Sequence, residues 1–261
     1  MVVVAQAEDM PGIVLKCIAA GKNVFAEKPL GLKSAEAKEL SDKAHEAGVI
    51  LIVGFMKRYA PSYLKLKEMV TSKQLGEAKS FNVEFAVDST PFCKDEEAFL
   101  KLAAIHIVDL MRYLFGEAVA VSGFKSLEGG NISQAISLKF DSGVVGNAYL
   151  VGMDAWTRER ENITVTFENG FATVEDINKV IIHRSSHTGD VSWQTQTEED
   201  TVLTPSATPM SGAHRDLYLR GFVGELTHFK EHCINGETPM SSGEDNIKTM
   251  DLVESILMNL K

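Results

Sequence analysis

Cysteine is scarce in this sequence: Cys17, Cys93 and Cys233 are the only three among 261 residues. An odd number without a C-x-x-C argues against a disulfide framework or a cysteine zinc site, and the three read as reduced thiols. Positive charge is also short. With 26 Lys and Arg against 36 Asp and Glu, the formal charge is −10, which repels nucleic-acid phosphates and anionic lipid. No nucleic-acid partner is expected. No apolar run approaches a membrane span, and Met1 is not followed by the basic-then-apolar pattern of a signal peptide. A soluble, cytoplasmic protein with a small-molecule ligand and no membrane partner is the expectation. G-x-S-x-G, P-loop and paired-carboxylate signatures are missing, so hydrolase and kinase readings have no support.

Metal ligation is weakly signalled. His228 and His232 stand four apart with Glu225 a turn earlier, but Phe222, Leu226, Phe229 and Cys233 form the helical apolar stripe and leave both histidines on its flank. A closed zinc site needs three or four convergent ligands. His183 and His187, which bracket a turn, offer no more. No metal site is expected.

What is present begins with alternating strand and helix signals. Val2 to Ala5 is β-branched without alternation, as in a strand buried on both faces. Asp9 can cap a helix with Pro11 in its first turn, Ile13, Val14, Cys17 and Ile18 on one side and Gly21 as its stop. A second strand spans Asn23 to Ala26. Ser34 can cap a second helix, with Ala37, Leu40, Ala44 and Ala47 inward and Gly48 closing it. Val49 to Val53 completes a β-α-β-α-β series, hence a parallel sheet.

Beyond Phe55 the period changes. Ser62 to Thr71 and Glu96 to Phe115 read as helices, whereas Phe81 to Val87, Ile132 to Phe140, Val144 to Val151 and Asn162 to Phe167 alternate as strands. Asp141-Ser142-Gly143 and Asn169-Gly170 mark turns, the second before strands Phe171 to Glu175 and Lys179 to His183. These elements predict a mostly antiparallel sheet with helices on one side. Ser185 to Asp216 reads as a surface excursion, and Leu219 to Ile234 and Gly243 to Leu260 as two closing helices.

One stretch poses a chemical question. In "NVFAEKPLGLKSAEAKEL" an apolar strand runs directly into Glu27-Lys28-Pro29. Ligands bind beyond the carboxyl ends of strands in an open parallel sheet, and Lys28 stands at such an end. A strand-end lysine is more often a solvated charge, as a lone His106 is more often a core histidine, so neighbouring motifs must decide. Four segments do so: "AGKNVFAEKPLGL", "VGFMKRYAPSY", "AAIHIVDLMRYLFGE" and "FVGELTHFKEHCINGETPMSSGED". In that order they resemble the Gfo/Idh/MocA oxidoreductases and span nearly the whole chain.

The resemblance implies an α/β fold: a partial Rossmann-type parallel sheet over residues 1–54, then over 55–261 an α/β domain with a large, mostly antiparallel open sheet, its last helix able to pack back on the first domain. It implies an NAD- or NADP-dependent dehydrogenase or reductase acting on the CH–OH group of a sugar, polyol or related alcohol/ketone, and a homo-oligomer formed through the open sheet face. Glu27, Lys28, Pro29 and Arg58 would contact the cofactor, with Lys28 between nicotinamide and substrate. His106, in an H-x-x-D helix, would exchange the hydroxyl proton. Asp109 would bind substrate or orient that region. Trp156 and Arg158, on a sheet-end loop, would touch a hydroxylated substrate, an interface role being the alternative; for Arg58 the alternative is a salt bridge at a helix start. The chemistry suits these residues. A carbinol carbon releases hydride readily only as its hydroxyl proton is withdrawn, which histidine does near neutral pH, while an ammonium steadies the developing alkoxide.

Two departures qualify the match. Many members carry an aspartate four residues before the histidine, where this chain has Leu102. The sequence also contains no G-x-G-x-x-G, the turn that places a pyrophosphate at a helix amino terminus. Val2 to Ala5 corresponds to the family's fourth strand, so the glycine-rich first half is expected to be missing, through truncation, through supply by a partner, or through loss of cofactor binding. A non-catalytic ligand-sensing or assembly protein is the alternative function.

Overall fold

The structure, a computed structural model, describes residues 1–128, 130–185, 200–206, 210, 212 and 214–261. His187 lies outside the described residues. The first sheet is parallel, in the order β1 (Val2–Val3), β2 (Val24–Ala26), β3 (Leu51–Val53), with Val2 opposite Phe25 and Val24 opposite Leu51. Every residue of β2 and β3 is buried, which explains why neither strand alternates. Helix α1 (Met10–Ala19) carries Pro11 in its first turn and buries Met10, Val14 and Ile18, one per turn. Helix α2 (Ser34–Glu46) buries Ala37, Leu40 and Ala44.

Two capping expectations are corrected. The Asp9 side chain makes no capping hydrogen bond. Ser34 is the first helical residue rather than the cap, because the Glu36 carboxylate takes that role, accepting from the backbone N–H of Leu32 at 2.7 Å and of Lys33 at 3.3 Å. The Ser34 hydroxyl is thereby left to bond Asp251, and its N–H bonds Glu254 at 2.8 Å, fastening α2 to the last helix.

A 3-10 turn, Met56–Tyr59, and α3 (Pro61–Ser72) lead into the second sheet. Its strands are β4 (Ala78–Val87), β5 (Ala118–Glu128), β6 (Asn131–Phe140), β7 (Val145–Gly152), β8 (Arg160–Phe167), β9 (Gly170–Glu175), β10 (Lys179–Arg184) and β11 (Asp200–Leu203). Among the described residues they lie in the order β11-β10-β9-β8-β4-β7-β6-β5. All neighbours are antiparallel except β4 and β7. Strand β11 falls inside the segment read as an excursion: it lines up with β10, Val180 opposite Leu203, where its short length and four exposed residues gave no alternation to read.

The region read as one helix from Glu96 to Phe115 is broken. Helix α4 (Glu96–Ala98) passes into a π-helical turn, Phe99–Ala103, and then α5 (Ile105–Phe115). The Ala104 N–H reaches back five residues to the Phe99 carbonyl at 2.9 Å. Such a bulge disturbs the regular i→i−4 ladder and occurs often at functional sites. Phe115 stacks on Phe81 of β4, centroids 4.7 Å apart, and packs against Phe140 of β6, so α5 seals one face of the sheet. The opposite face presents Ser122, Phe124, Ala135, Ser137, Asn147 and Tyr149 along a groove of about 350 Å³.

Helix α6 (His214–Leu219) precedes α7 (Phe222–Asn235) and α8 (Gly243–Asn259). The first closing helix thus starts three residues later than expected. Gly221, with φ +95°, interrupts it, and a Cβ there would lie 2.0 Å from the Met56 carbonyl. Ser242 caps α8 through the Asp245 N–H at 3.1 Å. The helix packs on α2, α5 and β3. The chain end then pairs with edge strand β5, where the Lys125 N–H donates to the Lys261 carbonyl at 3.0 Å and the Lys261 N–H to that of Gly123 at 3.2 Å.

Among the described residues no helix is long and apolar enough to cross a membrane, and no three His, Cys, Asp or Glu side chains converge as metal ligands. His228 is engaged otherwise: its Nε2 accepts from the Met240 N–H at 3.0 Å, and its ring lies 3.8 Å from that of His232. The buried side of α7 also differs from the apolar stripe, since Leu226 is 43% exposed whereas Glu225 is 1% exposed.

Candidate active site

The carboxyl end of β2 delivers Glu27-Lys28-Pro29, with Pro29 buried and its peptide bond to Lys28 cis. The Lys28 ammonium donates to the Leu102 carbonyl at 2.7 Å. Leu102 lies in the π-turn, so a backbone oxygen holds the lysine. A carbonyl brings no full charge to offset burial, and burial pushes the Lys28 ammonium below the usual lysine range, Glu27 and Cys93 opposing the shift. The Glu27 carboxylate accepts from the Lys28 N–H at 3.2 Å. Gly54, directly after β3, makes room for it: a Cβ there would lie 3.1 Å from the Phe25 ring and 3.3 Å from the Glu27 carboxyl.

His106 is on the first turn of α5. Its Nδ1 is buried without a hydrogen-bond partner, and the Phe55 ring meets the imidazole edge-on, centroids 6.1 Å apart. Burial, reinforced by the charges of Lys28, Lys57 and Arg220, holds its pKa well below the ordinary 6.5. It is therefore neutral at pH 7 and free to accept a proton.

His106 and Ala103 form part of the wall of a cleft of about 480 Å³, shared with Met56, Lys57, Phe85, Val87, Phe92, Glu159, Glu161, Asp176, Ile177 and Arg220. Lys28 is held by the residue before Ala103 and lies within electrostatic reach of His106. Lys57 and Glu161 form a buried ion pair, and the Tyr63 hydroxyl donates to the other Glu161 oxygen at 2.5 Å. Sequence reasoning passed over Lys57, Glu161 and Tyr63. A signal existed for Glu161, which shares the inward phase of β8 with Ile163, Val165 and Phe167, where a carboxylate needs a reason. Lys57 gave none apart from adjacency to Arg58.

Arg58 and Asp109 are brought together, but away from the cleft. The guanidinium forks onto Asp109 (Nε to Oδ2 at 2.7 Å, Nη2 to Oδ1 at 2.5 Å), reaches Asp245 at 2.6 Å and the Met240 carbonyl at 2.8 Å. Thr249 donates to Asp109 Oδ1 at 2.9 Å, and Arg112 joins through Thr249, Asp245 and Glu117. Asp109 is 1% exposed and Arg58 3%. This geometry is the salt-bridge alternative for Arg58, and it makes Asp109 a clamp between α5 and α8. The exposed Arg158 and half-buried Trp156 flank the approach to β8; the Trp156 carbonyl accepts from the Asp88 N–H at 3.1 Å, and their neighbour Glu159, rather than either of them, lines the cleft.

For a dinucleotide, these residues fit one end. The ends of β1, β2 and β3, with Glu27 and Lys28 following β2, suit a flat ring set beside the cleft wall. The pyrophosphate end wants a glycine-rich turn, and the sequence has no G-x-G-x-x-G.

Comparison with known proteins bears on the family and the fold. Residues 1–55 match the model described as an oxidoreductase family, NAD-binding Rossmann fold, and residues 63–173 match the GFO/IDH/MocA C-terminal domain. The chain is 26% identical to scyllo-inositol 2-dehydrogenase (NAD(+)) of Bacillus subtilis (strain 168), covering 94% of this chain and 70% of that protein. It is 25% identical to myo-inositol 2-dehydrogenase of Thermotoga maritima, covering 89% and 69%. Among solved structures, a dehydrogenase from Chromobacterium violaceum superposes with a TM-score of 0.86 at 18% identity, over 98% of this chain and 75% of that one. Levoglucosan dehydrogenase, in complex with NADH and levoglucosan, gives 0.83 at 15% identity, over 99% and 76%. At such identities the superpositions speak for the fold alone.

Proposed function

This chain belongs to the Gfo/Idh/MocA oxidoreductase family, and on that premise we propose that it serves hydride transfer between NAD or NADP and a sugar, polyol or related alcohol/ketone. The observation that carries the reading is a neutral His106 in the cleft wall, electrostatically coupled to Lys28 at the carboxyl end of the parallel sheet. Glu27 and Lys28 would hold the edge of a nicotinamide, which would supply the hydride-accepting carbon. His106 withdraws the substrate hydroxyl proton, and Lys28 steadies the negative charge that gathers on that oxygen. The Lys57–Glu161–Tyr63 cluster braces the cleft, and the acceptors Glu159 and Asp176 together with the donor Arg220 in its lining suit an uncharged, hydroxyl-rich molecule. Both inositol dehydrogenases named above act on such molecules by name.

We assign residues 1–54 to the cofactor side and 55–261 to substrate binding and to oligomerisation through the open face of the second sheet, in a cytoplasmic protein. The test is the initial rate of NADH formation across myo-inositol, scyllo-inositol and levoglucosan, paired with calorimetric titration of the same ligands. NAD-dependent turnover is expected. Polyol binding without NAD-dependent turnover would replace the enzyme by a ligand sensor.

A further inference from the structure

The turn between β9 and β10 contains two consecutive residues in the left-handed region, Asp176 at φ +47° and Ile177 at φ +63°. Aspartate tolerates that region; a β-branched side chain there is an outlier, since its Cβ substituents crowd the backbone. Hairpin turns of this hand ordinarily use Gly or Asn. Sequence has not relaxed the strain here, and the structure shows what holds it. The Asp176 N–H donates to the Glu161 carbonyl at 2.7 Å, and Asp176 Oδ1 accepts from the Glu161 N–H at 3.2 Å. Glu161 is the residue that binds Lys57 and Tyr63 at the cleft. The turn is thus clamped at two points to the site, and both Asp176 and Ile177 line the cleft, the first exposed and the second half-buried. Strain that is locked in place by its surroundings concentrates at ligand-binding positions.

We infer that this turn is the substrate-selecting lip of the cleft, with the Asp176 carboxylate accepting from hydroxyls of a cyclic polyol and Ile177 covering the C–H face of its ring. The inference rests on the polyol reading and deepens it by naming ring shape as the selected feature. A cyclic polyol offers both surfaces at once, adjacent equatorial hydroxyls at its edge and a face of C–H bonds; an open-chain polyol has no such face. An apolar residue beside a carboxylate matches the ring.

The test compares binding of myo-inositol and of the open-chain polyol mannitol by calorimetry, with NAD+ present and absent. Asp176→Asn keeps the Oδ1 acceptor for Glu161 but removes the charge; it is expected to weaken myo-inositol binding about tenfold and leave the melting temperature unchanged. Ile177→Asn suits the left-handed turn and removes the apolar cover; it is expected to erase the preference for the ring over mannitol. Ile177→Val should preserve that preference. If the wild-type chain binds myo-inositol and Asp176→Asn matches it within twofold, the lip assignment falls while the polyol reading stands. If the wild-type chain binds neither polyol, both fall. Should Ile177→Asn fail to fold, Asp176→Asn, altered at an exposed residue, still decides.

Discussion

The Lys28 ammonium is bound at 2.7 Å to the Leu102 carbonyl, an oxygen that cannot titrate and that the π-turn of Phe99–Ala103 brings within reach. A carboxylate at that place would hold the lysine charged up to high pH; the carbonyl fixes its position while burial lowers its pKa. Lys28 thus has its orientation set by backbone and its charge available to the site. In enzyme saturated with NAD+, Lys28→Ala should lower kcat/KM for a polyol by about two to four orders of magnitude, the scale for losing an acid–base or oxyanion partner. A loss of less than about fivefold would remove Lys28 from the chemistry.

Glu225 gives a pH-dependent prediction. Burial, with Glu27 nearby, raises its carboxyl to about 9, so the folded chain keeps a proton that the unfolded chain releases near 4.5. Its contribution to stability is therefore fully present below about pH 4.5 and lost as pH rises towards 9. Glu225→Gln removes that loss. The variant should gain stability over wild type on the order of 2 kcal/mol at pH 7 and gain nothing near pH 4, as read from urea midpoints at the two pH values.

The Arg58–Asp109 pair makes a prediction about stability. Asp109→Ala leaves a buried guanidinium without its main counter-charge and should cost about 3–5 kcal/mol in urea unfolding. A substrate-binding role without this clamp would instead raise KM and leave unfolding unaltered.

The open sheet face carries Phe124 of β5 and Tyr149 of β7, 71% and 41% exposed, on either side of Ala135 of β6 along one groove. Sedimentation is expected to show an oligomer at micromolar concentration, reduced to monomer by Phe124→Glu with Tyr149→Glu. A monomeric wild type would leave the face without that role.

Much of this architecture was legible because its periods are simple. Buried strands β2 and β3 showed as unbroken apolar runs, and β4, β6 and β8 alternated because one face turns into the core, Phe81 and Phe140 meeting Phe115 of α5, while the other is more exposed. Positions decided by tertiary partners were not legible. Nothing local marks the π-turn, within which Phe99 and Leu100 are both fully buried. Ser34 has the chemistry of a cap but was displaced by Glu36. At the site, the strand-end position of Lys28 and the helical position of His106 were readable, whereas the side to which each turned was not. In "MKRY" the 3-10 turn sends Lys57 to the cleft and Arg58 to the α5–α8 clamp, a division that two adjacent cations do not reveal.

The central claim is that Lys28 and His106 are a charge-coupled pair serving one cleft, and it is tested most directly by NMR titration of the His106 imidazole in wild type and in Lys28→Met. His106 in wild type should remain neutral well below pH 6.5, and removing the Lys28 charge should raise its pKa, since a neighbouring cation disfavours the protonated ring. A wild-type His106 that titrates at its ordinary value, unmoved by Lys28→Met, would contradict the account.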